Sequence, residues 1–424
     1  RLTFKQSLPW ESRKTNKRKN SKRLKNTHIT FISLNYAPED SAIGLYSSQW
    51  VEFLESNGHN VTVVTAFPYY PQWEIYRDYK SKPLFFKEII GQTTILRYKQ
   101  YVPKAPTFFK RIVHLIDFTF GSFINLFKIK NCDLVIAVVP FTSSAFLGWI
   151  QKKRFNAKLW VHIQDFEFDA ALQTGVSKKT NPLFSILFKI ESWILNKATV
   201  VSTISHSMLD KLSHKTKSST FYLPNWIDQN TIDPLTATPH NYTKSNKITL
   251  LYSGNIGDKQ DWDSFIEFCN DLDKNRYDVI IVGDGAKKEW VLENTSNLSN
   301  VTYYPPVPYK ELSDLLCSAD IHLLFQKPDL LDTVMPSKVL GMMASAKPSI
   351  IIGHKDSEIN TTFKITDAGL FFDHYSKEVI KRLDQLTSED IRMKNMGSNS
   401  RAYVLNHFSK EMILNRMLKK VNNL

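Results

Sequence analysis

Residues 332–348, with the sequence DTVMPSKVLGMMASAKP, place a proline, a serine and a lysine directly before an apolar run. Proline is tolerated at the first position of a helix, which predicts a helix that starts at Pro336 with Ser337 and Lys338 in its first turn. First-turn N–H groups have no partner inside a helix, and the helix dipole favours negative charge there. With the Ser337 hydroxyl and the Lys338 ammonium they form a candidate site for one or two phosphates. The alternative is an ordinary helix start with a solvated lysine.

The chain around this motif has 424 residues, too many for one core, and a length-based prior predicts two or three domains. Its composition, 42% hydrophobic and 23% charged, is typical of a globular protein with ample core. The three cysteines, Cys132, Cys269 and Cys317, lie far apart inside apolar runs, which indicates a reducing compartment. No apolar run reaches eighteen residues, so we expect no transmembrane helix.

The net charge of +14 is distributed unevenly. Residues 1–27 contain ten Lys or Arg and one Glu, and they have no apolar periodicity. We therefore expect a disordered basic tail and leave it out of the fold prediction. An anionic lipid surface is a better candidate partner for this tail than nucleic acid, because no recognition helix or stacking motif accompanies it.

From residue 28 the sequence alternates between strand and helix patterns, which predicts a parallel α/β sheet with right-handed crossovers. The predicted strands of this first half are 28–35, 60–66, 133–139, 158–163 and 198–204, and the predicted helices are 45–56, 107–130 and 182–196. Ligands of open α/β sheets bind beyond the carboxyl ends of the strands. The loop 35–44, which ends at Gly44, and the segment after His162 both lie at that edge.

The segment HIQDFEFD (162–169) brings polar side chains to a strand end. His162 is either a satisfied structural histidine or a catalytic group. Asp165, Glu167 and Asp169 alternate on one short segment, a spacing that does not make them converge, so we expect no metal site.

Two apolar stretches of the first half each allow two interpretations. The loop 67–76 contains five aromatic residues and two prolines, which predicts either a packed lid or a surface that stacks on a sugar or lipid headgroup. The predicted helix 107–130 is apolar nearly all round and has basic residues at both ends. It is either a buried crossover helix or one that lies against a membrane.

Residues 228–246 are poor in apolar side chains and predict a linker. A second α/β set follows, with predicted strands 248–252, 278–282, 300–304, 321–325 and 349–352. The loop 253–261 contains two glycines and Lys259 at the entry of a helix, which is a second candidate phosphate site. Its alternative is a glycine-rich turn with an exposed lysine.

Eight ordered segments carry a family resemblance: NYAPEDSAIGLY (35–46), FPYYPQW (67–73), YVPKAPTFFKR (101–111), HIQDFEFDA (162–170), VSTISHSM (201–208), LPNW (223–226), YSGNIGDKQ (252–260) and MPSK (335–338). The chain resembles the retaining, GT-B-fold glycosyltransferases of family 4. Within that family it is most similar to the bacterial surface-polysaccharide branch with the colanic-acid and fucosamine transferases.

The resemblance implies two Rossmann-like domains, 28–235 and 236–398, that face each other across a cleft, with residues 399–424 crossing back. It implies that Lys259 and Lys338 bind the diphosphate of a UDP- or GDP-linked sugar, that His162 contacts the donor sugar, and that no metal or other cofactor is needed. The further donor residues would be Gly44, Gly254, Asn255, Gly257, Gly283, Pro336 and Ser337, and the acceptor-side residues Tyr69, Tyr70, Trp73, Lys104 and Asp165. The acceptor would be a polyprenyl-diphosphate-linked glycan, used at the cytoplasmic face of the plasma membrane.

Two positions depart from the family pattern. The second glutamate of the usual pair, which binds the donor ribose, aligns with Gly341, and Asp332 is the residue available in place of the first. The arginine that often follows the phosphate-loop glycine is Asn255 here. These departures leave two alternatives open: a non-catalytic GT-B protein that binds nucleotide or glycan, and a nucleotide-sugar 2-epimerase of the same fold.

Overall fold

The fold was analysed in a computed structural model, which describes residues 26–39, 42–104, 107–140, 142–166, 182–327 and 337–424. The predicted basic tail falls outside these ranges except for its last two residues, and Asp332 and Pro336 also lie outside them.

The described part of the first half contains eight strands and six α-helices. They are β1 (His28–Ile32), α1 (Ala42–Ser56), β2 (Asn60–Ala66), α2 (Arg77–Lys80), β3 (Phe85–Ile90), β4 (Thr93–Tyr98), α3 (Phe108–Leu126), β5 (Leu134–Val139), α4 (Thr142–Phe155), β6 (Lys158–Ile163), α5 (Pro182–Leu195), β7 (Val200–Thr203), α6 (His206–Ser213) and β8 (Ser219–Tyr222). They form one sheet in the order β3-β4-β2-β1-β5-β6-β7-β8. β3 pairs antiparallel with β4, and the other pairs are parallel. All six residues of β5 are buried, as expected for a central strand covered on both faces.

The second half has the six-stranded parallel sheet β11-β10-β9-β12-β13-β14. Its elements are β9 (Ile248–Asn255), α7 (Trp262–Asp271), β10 (Tyr277–Asp284), α8 (Lys288–Thr295), β11 (Val301–Tyr304), α9 (Leu312–Ser318), β12 (Ile321–Phe325), α10 (Ser337–Ala344), β13 (Ser349–Ile352), α11 (Glu358–Thr366), β14 (Gly369–Phe372), α12 (Lys377–Thr387), α13 (Asp390–Phe408) and α14 (Lys410–Asn422). Short 3-10 turns lie at Asn241–Thr243 and Tyr309–Glu311. The predicted two-sheet α/β architecture is therefore correct.

Several predicted elements differ from the observed ones. The hairpin β3–β4 and the strand β14 were not predicted, and β9 continues three residues beyond the predicted end at Tyr252. The predicted helix 107–130 is shorter, because Thr107 caps its start by accepting a hydrogen bond from the N–H of Lys110 and the last turn ends at Leu126. The predicted boundary between residues 398 and 399 falls inside α13.

The last helix packs back onto the first half. Ile413, Leu414, Met417, Leu418 and Val421 of α14 are buried in the same core cluster as side chains of β1 and β2. None of the helices in the described ranges has the length and apolar character required to cross a bilayer.

Candidate functional site

A cavity of about 630 Å³ lies between the two halves at the carboxyl ends of the strands. The first half lines it with α1 and residues 71–76, and the second half with the end of β9, residues 306–309 and the start of α10. The lining includes Tyr46, Gln49, Trp226, Ser253, Gly254, Ser337, Lys338 and Gly341. This is the cleft that the domain arrangement predicted, and its volume is in the usual range for a small-molecule site.

The start of α10 and the end of β9 meet at this cavity. Ser337 is the first residue of α10, and Lys338 follows it. The Lys338 ammonium lies 5.0 Å from the centroid of the Tyr252 ring and donates to the Tyr252 hydroxyl at 3.3 Å. A Cβ on Gly254 would lie only 3.6 Å from Cδ of Lys338 and 3.9 Å from its Nζ. The lysine and the glycine of the two candidate phosphate sites are therefore neighbours in space.

The end of β9 has a backbone conformation that requires glycine. Gly254 has φ of +134°, a region that residues with a Cβ rarely adopt. A Cβ on Gly283, at the end of β10, would lie 1.9 Å from the carbonyl oxygen of Gly254, so the two strand ends approach as closely as only glycine permits. Asn255 is exposed beside them. Because Gly254 has no side chain, only backbone forms the cavity wall at this position.

Gly257 and Lys259 are placed differently from what their predicted roles require. The Gly257 N–H donates to Oε1 of Gln260, and its carbonyl accepts from Nε1 of Trp262, both at 3.0 Å. These groups are therefore satisfied inside the loop. Lys259 is exposed and does not line the cavity. Of the two predicted diphosphate lysines, Lys338 is the one at the cavity wall.

Side chains of α1 and Trp226 form the opposite wall. The Tyr46 ring lies edge-to-face on Trp226 with centroids 5.1 Å apart, and Nε1 of Trp226 donates to Oε1 of Gln49 at 2.6 Å. Burial raises the pKa of Tyr46, and the Ser337 side chain, which lines the cavity from the other half, offsets part of that rise. Gly44, expected to cover the donor, is buried beside Glu39, and the next residue in the chain lines the cavity in its place.

His162 does not reach the cavity in this structure. It is 1% exposed, its Nδ1 is 2.8 Å from Oγ of Ser202, and its Nε2 is 2.9 Å from Nε2 of Gln164, which also donates to Oδ1 of Asn225. Burial lowers the pKa of His162 from its ordinary 6.5 to about 3, so the ring is neutral at physiological pH. The structural interpretation of this histidine fits these contacts better than direct contact with the donor.

The aromatic loop is mainly a packed lid. Tyr69 is 3% exposed and lies against Trp73 and His114, with centroids 5.4 and 4.9 Å away, so the expected acceptor contact through its ring is not available. The Glu39 carboxylate anchors this loop, because its Oε1 accepts from the N–H groups of Tyr69 and Tyr70 at 2.8 Å. Tyr70 is partly exposed, while Trp73 is half-buried.

The remaining predicted residues lie apart from the cavity or outside the described ranges. Lys104 and Asp165 are exposed and are not part of the cavity lining. Glu167 and Asp169 fall outside the described residues, as do Asp332 and Pro336. Within the described ranges no group of three or more His, Cys, Asp or Glu side chains is arranged to hold a metal ion.

Gly341 belongs to the cavity wall. A Cβ there would lie 3.3 Å from Cδ1 of Leu316 and 3.5 Å from Cδ1 of Ile232. A glutamate at this position would therefore have to pass between two apolar side chains, and this part of the wall is apolar instead.

The sequence prediction missed Tyr46, Gln49, Trp226 and Tyr252. Three of them lie inside segments that carry the resemblance: Tyr46 ends NYAPEDSAIGLY, Trp226 ends LPNW and Tyr252 begins YSGNIGDKQ. That membership was the available signal, since nothing local distinguishes them from core aromatics.

Comparisons with known proteins agree with this geometry. Residues 238–403 match the family model described as glycosyl transferases group 1. WcaI of Escherichia coli strain K12, named for glycosyl transfer in colanic acid biosynthesis, is 33% identical over 345 residues, which cover 78% of this chain and 84% of WcaI.

Two solved structures share the fold. Sucrose-phosphate synthase from Thermosynechococcus elongatus superposes with a TM-score of 0.71 at 15% identity, over 94% of this chain and 98% of that one. Anabaena HepE in complex with UDP and glucose has a TM-score of 0.64 at 11% identity, over 94% of this chain and all of HepE. The identity and coverage shared with WcaI, the family model and the two facing α/β sheets lead to one conclusion: the chain belongs to the group 1 glycosyltransferases of GT-B fold, as the eight sequence segments predicted.

Proposed function

We propose that this glycosyltransferase moves a hexose-type sugar, with retention of configuration, from a UDP- or GDP-linked donor to a polyprenyl-diphosphate-linked saccharide. The product would enter a bacterial capsule, O-antigen or exopolysaccharide. The observation that carries the proposal is the approach of Lys338 to the Gly254 loop at the wall of the interdomain cavity. The biosynthetic role for which WcaI is named and the UDP and glucose in the HepE complex are consistent with it.

The proposed chemistry is stabilisation of a departing phosphate. As the bond between C1 of the sugar and the β-phosphate oxygen breaks, negative charge grows on that phosphate. The Lys338 ammonium and the first N–H groups of α10 would stabilise it. The acceptor oxygen bonds to C1 from the same face and passes its proton to the departing phosphate oxygen. Lys259, on the exposed side of the same loop, remains the proposed second cation.

The donor proposal is tested by thermal unfolding with UDP, GDP, dTDP or CMP at millimolar concentration. A ligand present at 100 times its Kd stabilises by about 2.7 kcal/mol, a readily measured shift. We expect one nucleotide to raise the melting temperature of the wild type and to lose most of this effect with Lys338→Ala. Lys381→Ala, an exposed lysine of α12, is the control and should keep the full shift. An equal shift in Lys338→Ala and wild type would refute the role proposed for α10.

A second part of the proposal places the first half on an anionic membrane surface at the cytoplasmic side. α3 buries one side on the sheet, where Phe118 and Leu126 are fully buried, and exposes an apolar stripe on the other, with Phe109 72% and Phe120 70% exposed. The apolar face defined by this stripe and its neighbours comprises Phe109, Ile112, Ile116, Phe120 and Phe123 of α3, Phe127 directly after α3, and Ile186, Ile190 and Trp193 of α5.

Packing joins these helices, and charge surrounds them. α3 packs against α4, and Trp149 of α4 contacts Trp193 of α5 with centroids 5.1 Å apart. Arg154 lies over the Phe127 ring and Lys197 over the Trp193 ring, so two basic side chains contact the apolar face. Further basic residues in or next to the same helices are Lys110, Arg111, Lys128, Lys152, Lys153 and Lys189. An apolar strip bordered by lysines and arginines complements an anionic bilayer surface better than it complements another protein.

Co-sedimentation with vesicles tests this second part. The full chain should bind vesicles that contain phosphatidylglycerol and bind phosphatidylcholine vesicles weakly. Phe109→Asp with Phe120→Asp should reduce binding about tenfold or more, because two charges would have to enter the acyl region. Ile391→Asp, on the equally exposed α13, is the matched control. Both variants keep the basic tail, so undiminished binding of the double variant would assign membrane attachment to the tail alone.

One observation favours a second function, a non-catalytic protein that binds nucleotide. Gly341 gives the cavity wall an apolar surface at the position where the family pattern has its ribose-binding glutamate. In that case the nucleotide would still raise the melting temperature, but no sugar would be transferred from any nucleotide sugar to a lipid-linked acceptor. Detection of transfer would exclude this function.

A further inference from the structure

Tyr252 connects the two parts of the cavity wall that the proposed reaction uses. It lies near the end of β9, directly before the cavity-lining residues Ser253 and Gly254, and it is completely buried. The hydroxyl donates to the carbonyl oxygen of Asn255 at 2.7 Å and accepts from Nζ of Lys338 at 3.3 Å. The ammonium lies 5.0 Å from the centroid of the same ring. One side chain therefore contacts both the end of β9 and the first turn of α10.

The chemistry of a phenol suits this position. Its single hydrogen is given to Asn255, which directs an oxygen lone pair toward Lys338. A lysine side chain has a flexible four-carbon stem, so placing its charge requires a partner. A carboxylate in the same place would neutralise the charge that a phosphate needs. The phenol oxygen and the ring face hold the ammonium while leaving that charge in place.

The ring itself is fixed by its surroundings. Trp262 and Phe265 of α7 pack edge-to-face on it, with centroids 4.9 and 5.9 Å away. Burial raises the pKa of the Tyr252 hydroxyl, so it stays protonated and keeps donating to Asn255. The fixed ring and its protonated hydroxyl therefore hold the oxygen that accepts from Lys338 in one position.

We propose that Tyr252 is a positioning residue for glycosyl transfer: it holds the Lys338 ammonium against the Gly254 loop, where the donor diphosphate binds. This inference rests on the proposed function. It concerns a residue that touches neither sugar nor phosphate and acts through Lys338.

Tyr252→Phe tests the proposal, because it keeps the packed ring and removes the hydroxyl. With saturating donor, kcat should fall about tenfold, and the KM for the acceptor should stay within a factor of two. Tyr277→Phe is the matched control. Tyr277 is equally buried on the neighbouring strand β10, and its hydroxyl bonds to Asp384 and Thr387, away from the cavity. Tyr277→Phe should lose about as much thermal stability as Tyr252→Phe, without any change in kcat. Equal kcat values for the two variants would overturn the proposal.

A double-mutant cycle then asks whether Tyr252 acts through Lys338. In the Lys338→Ala background, Tyr252→Phe should change kcat less than twofold, since the group that it positions is already absent. Multiplicative effects of the two substitutions would assign Tyr252 an independent role and refute the inference.

Binding of UDP and GDP to wild type, Tyr252→Phe, Lys338→Ala and the double variant, measured by calorimetry, separates this inference from the proposed function. For the nucleotide that binds, Kd should rise about fivefold with Tyr252→Phe and should rise no further when the change is added to Lys338→Ala. That result without detectable sugar transfer would refute the proposed function and keep the positioning role. Independent effects on Kd would refute the positioning role, whether or not transfer occurs.

Discussion

In each half of the molecule one histidine on a strand of the sheet is buried completely. His162 lies on β6, and His322 on β12, where its Nε2 is 2.8 Å from Oγ of Ser345. Burial lowers the pKa of both side chains from the ordinary 6.5 to about 3. The folded protein therefore holds both rings neutral at pH values where an unfolded chain would protonate them.

This difference predicts a pH-dependent stability. Between pH 6.5 and about 3 the unfolded chain binds more protons at these positions, so each histidine removes up to about 1.4 kcal/mol of unfolding free energy per pH unit of acidification. Above pH 6.5 the rings are neutral in the unfolded chain as well, so the protein there has its full unfolding free energy with respect to these two histidines. His322→Gln should reduce the loss of unfolding free energy between pH 7 and pH 5, measured by urea denaturation. His374→Gln, whose ring is exposed, is the control, and an unchanged pH dependence in His322→Gln would contradict the prediction.

Tyr46 and Ser337 give a second prediction at the residue scale. Both side chains line the cavity, one from each half, and Ser337 offsets part of the rise in pKa that burial gives Tyr46. We expect a hydrogen bond between them, which Tyr46→Phe would remove at a cost of about 1 kcal/mol while keeping the ring on Trp226. If a bound diphosphate accepts the Ser337 hydrogen bond instead, Tyr46→Phe destabilises only the protein without nucleotide. The nucleotide-induced rise in melting temperature should then be larger in the variant than in wild type. A smaller rise would mean that the Tyr46 hydroxyl itself binds the nucleotide.

At the scale of elements, α3 is held to the sheet by one close approach. A Cβ on Gly121 would lie 2.1 Å from Cγ of Tyr98 on β4, so glycine is what lets the helix reach this distance. The Tyr98 hydroxyl also donates to Oδ1 of Asp117 at 2.8 Å. The position of the apolar face thus depends on a single residue without a side chain.

Gly121→Ala should destabilise the protein. The better helix propensity of alanine, about 1 kcal/mol, is outweighed by the overpacking against Tyr98, which costs about 1–3 kcal/mol and here should reach the upper end. The net loss of about 2 kcal/mol can be measured by chemical denaturation. Ser122→Ala is the control: it removes a buried hydroxyl for which the described ranges contain no hydrogen-bond partner, and should cost little. An unchanged Gly121→Ala would show that α3 shifts freely on the sheet.

The elements also show which patterns a sequence reveals. Asn60–Ala66 and Ile321–Phe325 were predicted with their observed bounds, because buried parallel strands are apolar along their length and end at clear breaks. The hairpin of β3 and β4 was missed because β3 is an edge strand whose residues include Lys87 and Glu88. Edge strands bury little, so their composition differs little from that of loops.

At the scale of the whole molecule, the cleft depends on contacts that no local pattern contains. Ser337, Lys338 and the Gly254 loop could be predicted as neighbours, since loops at the carboxyl ends of parallel strands share one edge. Tyr46 and Trp226 are 180 residues apart and meet only because α1 and the end of the first half fold together. The burial of His162 also could not be predicted, because it results from three different segments, those of Ser202, Gln164 and Asn225.

The chain passes between the two halves twice, at Ile227 and at residues 408–410. The backbone of Ile227 pairs with residues 408–410, accepting from the N–H of Lys410 at 2.9 Å and donating to the carbonyl of Phe408 at 2.8 Å. The Lys410 ammonium is 3.1 Å from Oδ2 of Asp228, which also lines the cavity. The chain thus leaves the first half and returns to it at the same point, which makes this pair of segments the natural hinge.

This return predicts that a substitution near the C-terminus weakens the first half. Leu414 of α14 is fully buried in the core cluster that contains β1 and β2, so Leu414→Ala should cost about 2–5 kcal/mol. Hydrogen exchange can locate the loss, because amides report the stability of the unit to which they belong. Amides of β1 and β2 should exchange faster in Leu414→Ala, those of β12 and β13 should keep their rates, and Asn415→Ala, on the exposed side of α14, should change neither. Faster exchange confined to β12 and β13 would instead make α14 part of the second half, and the two halves would then be joined by a single segment free to open the cleft.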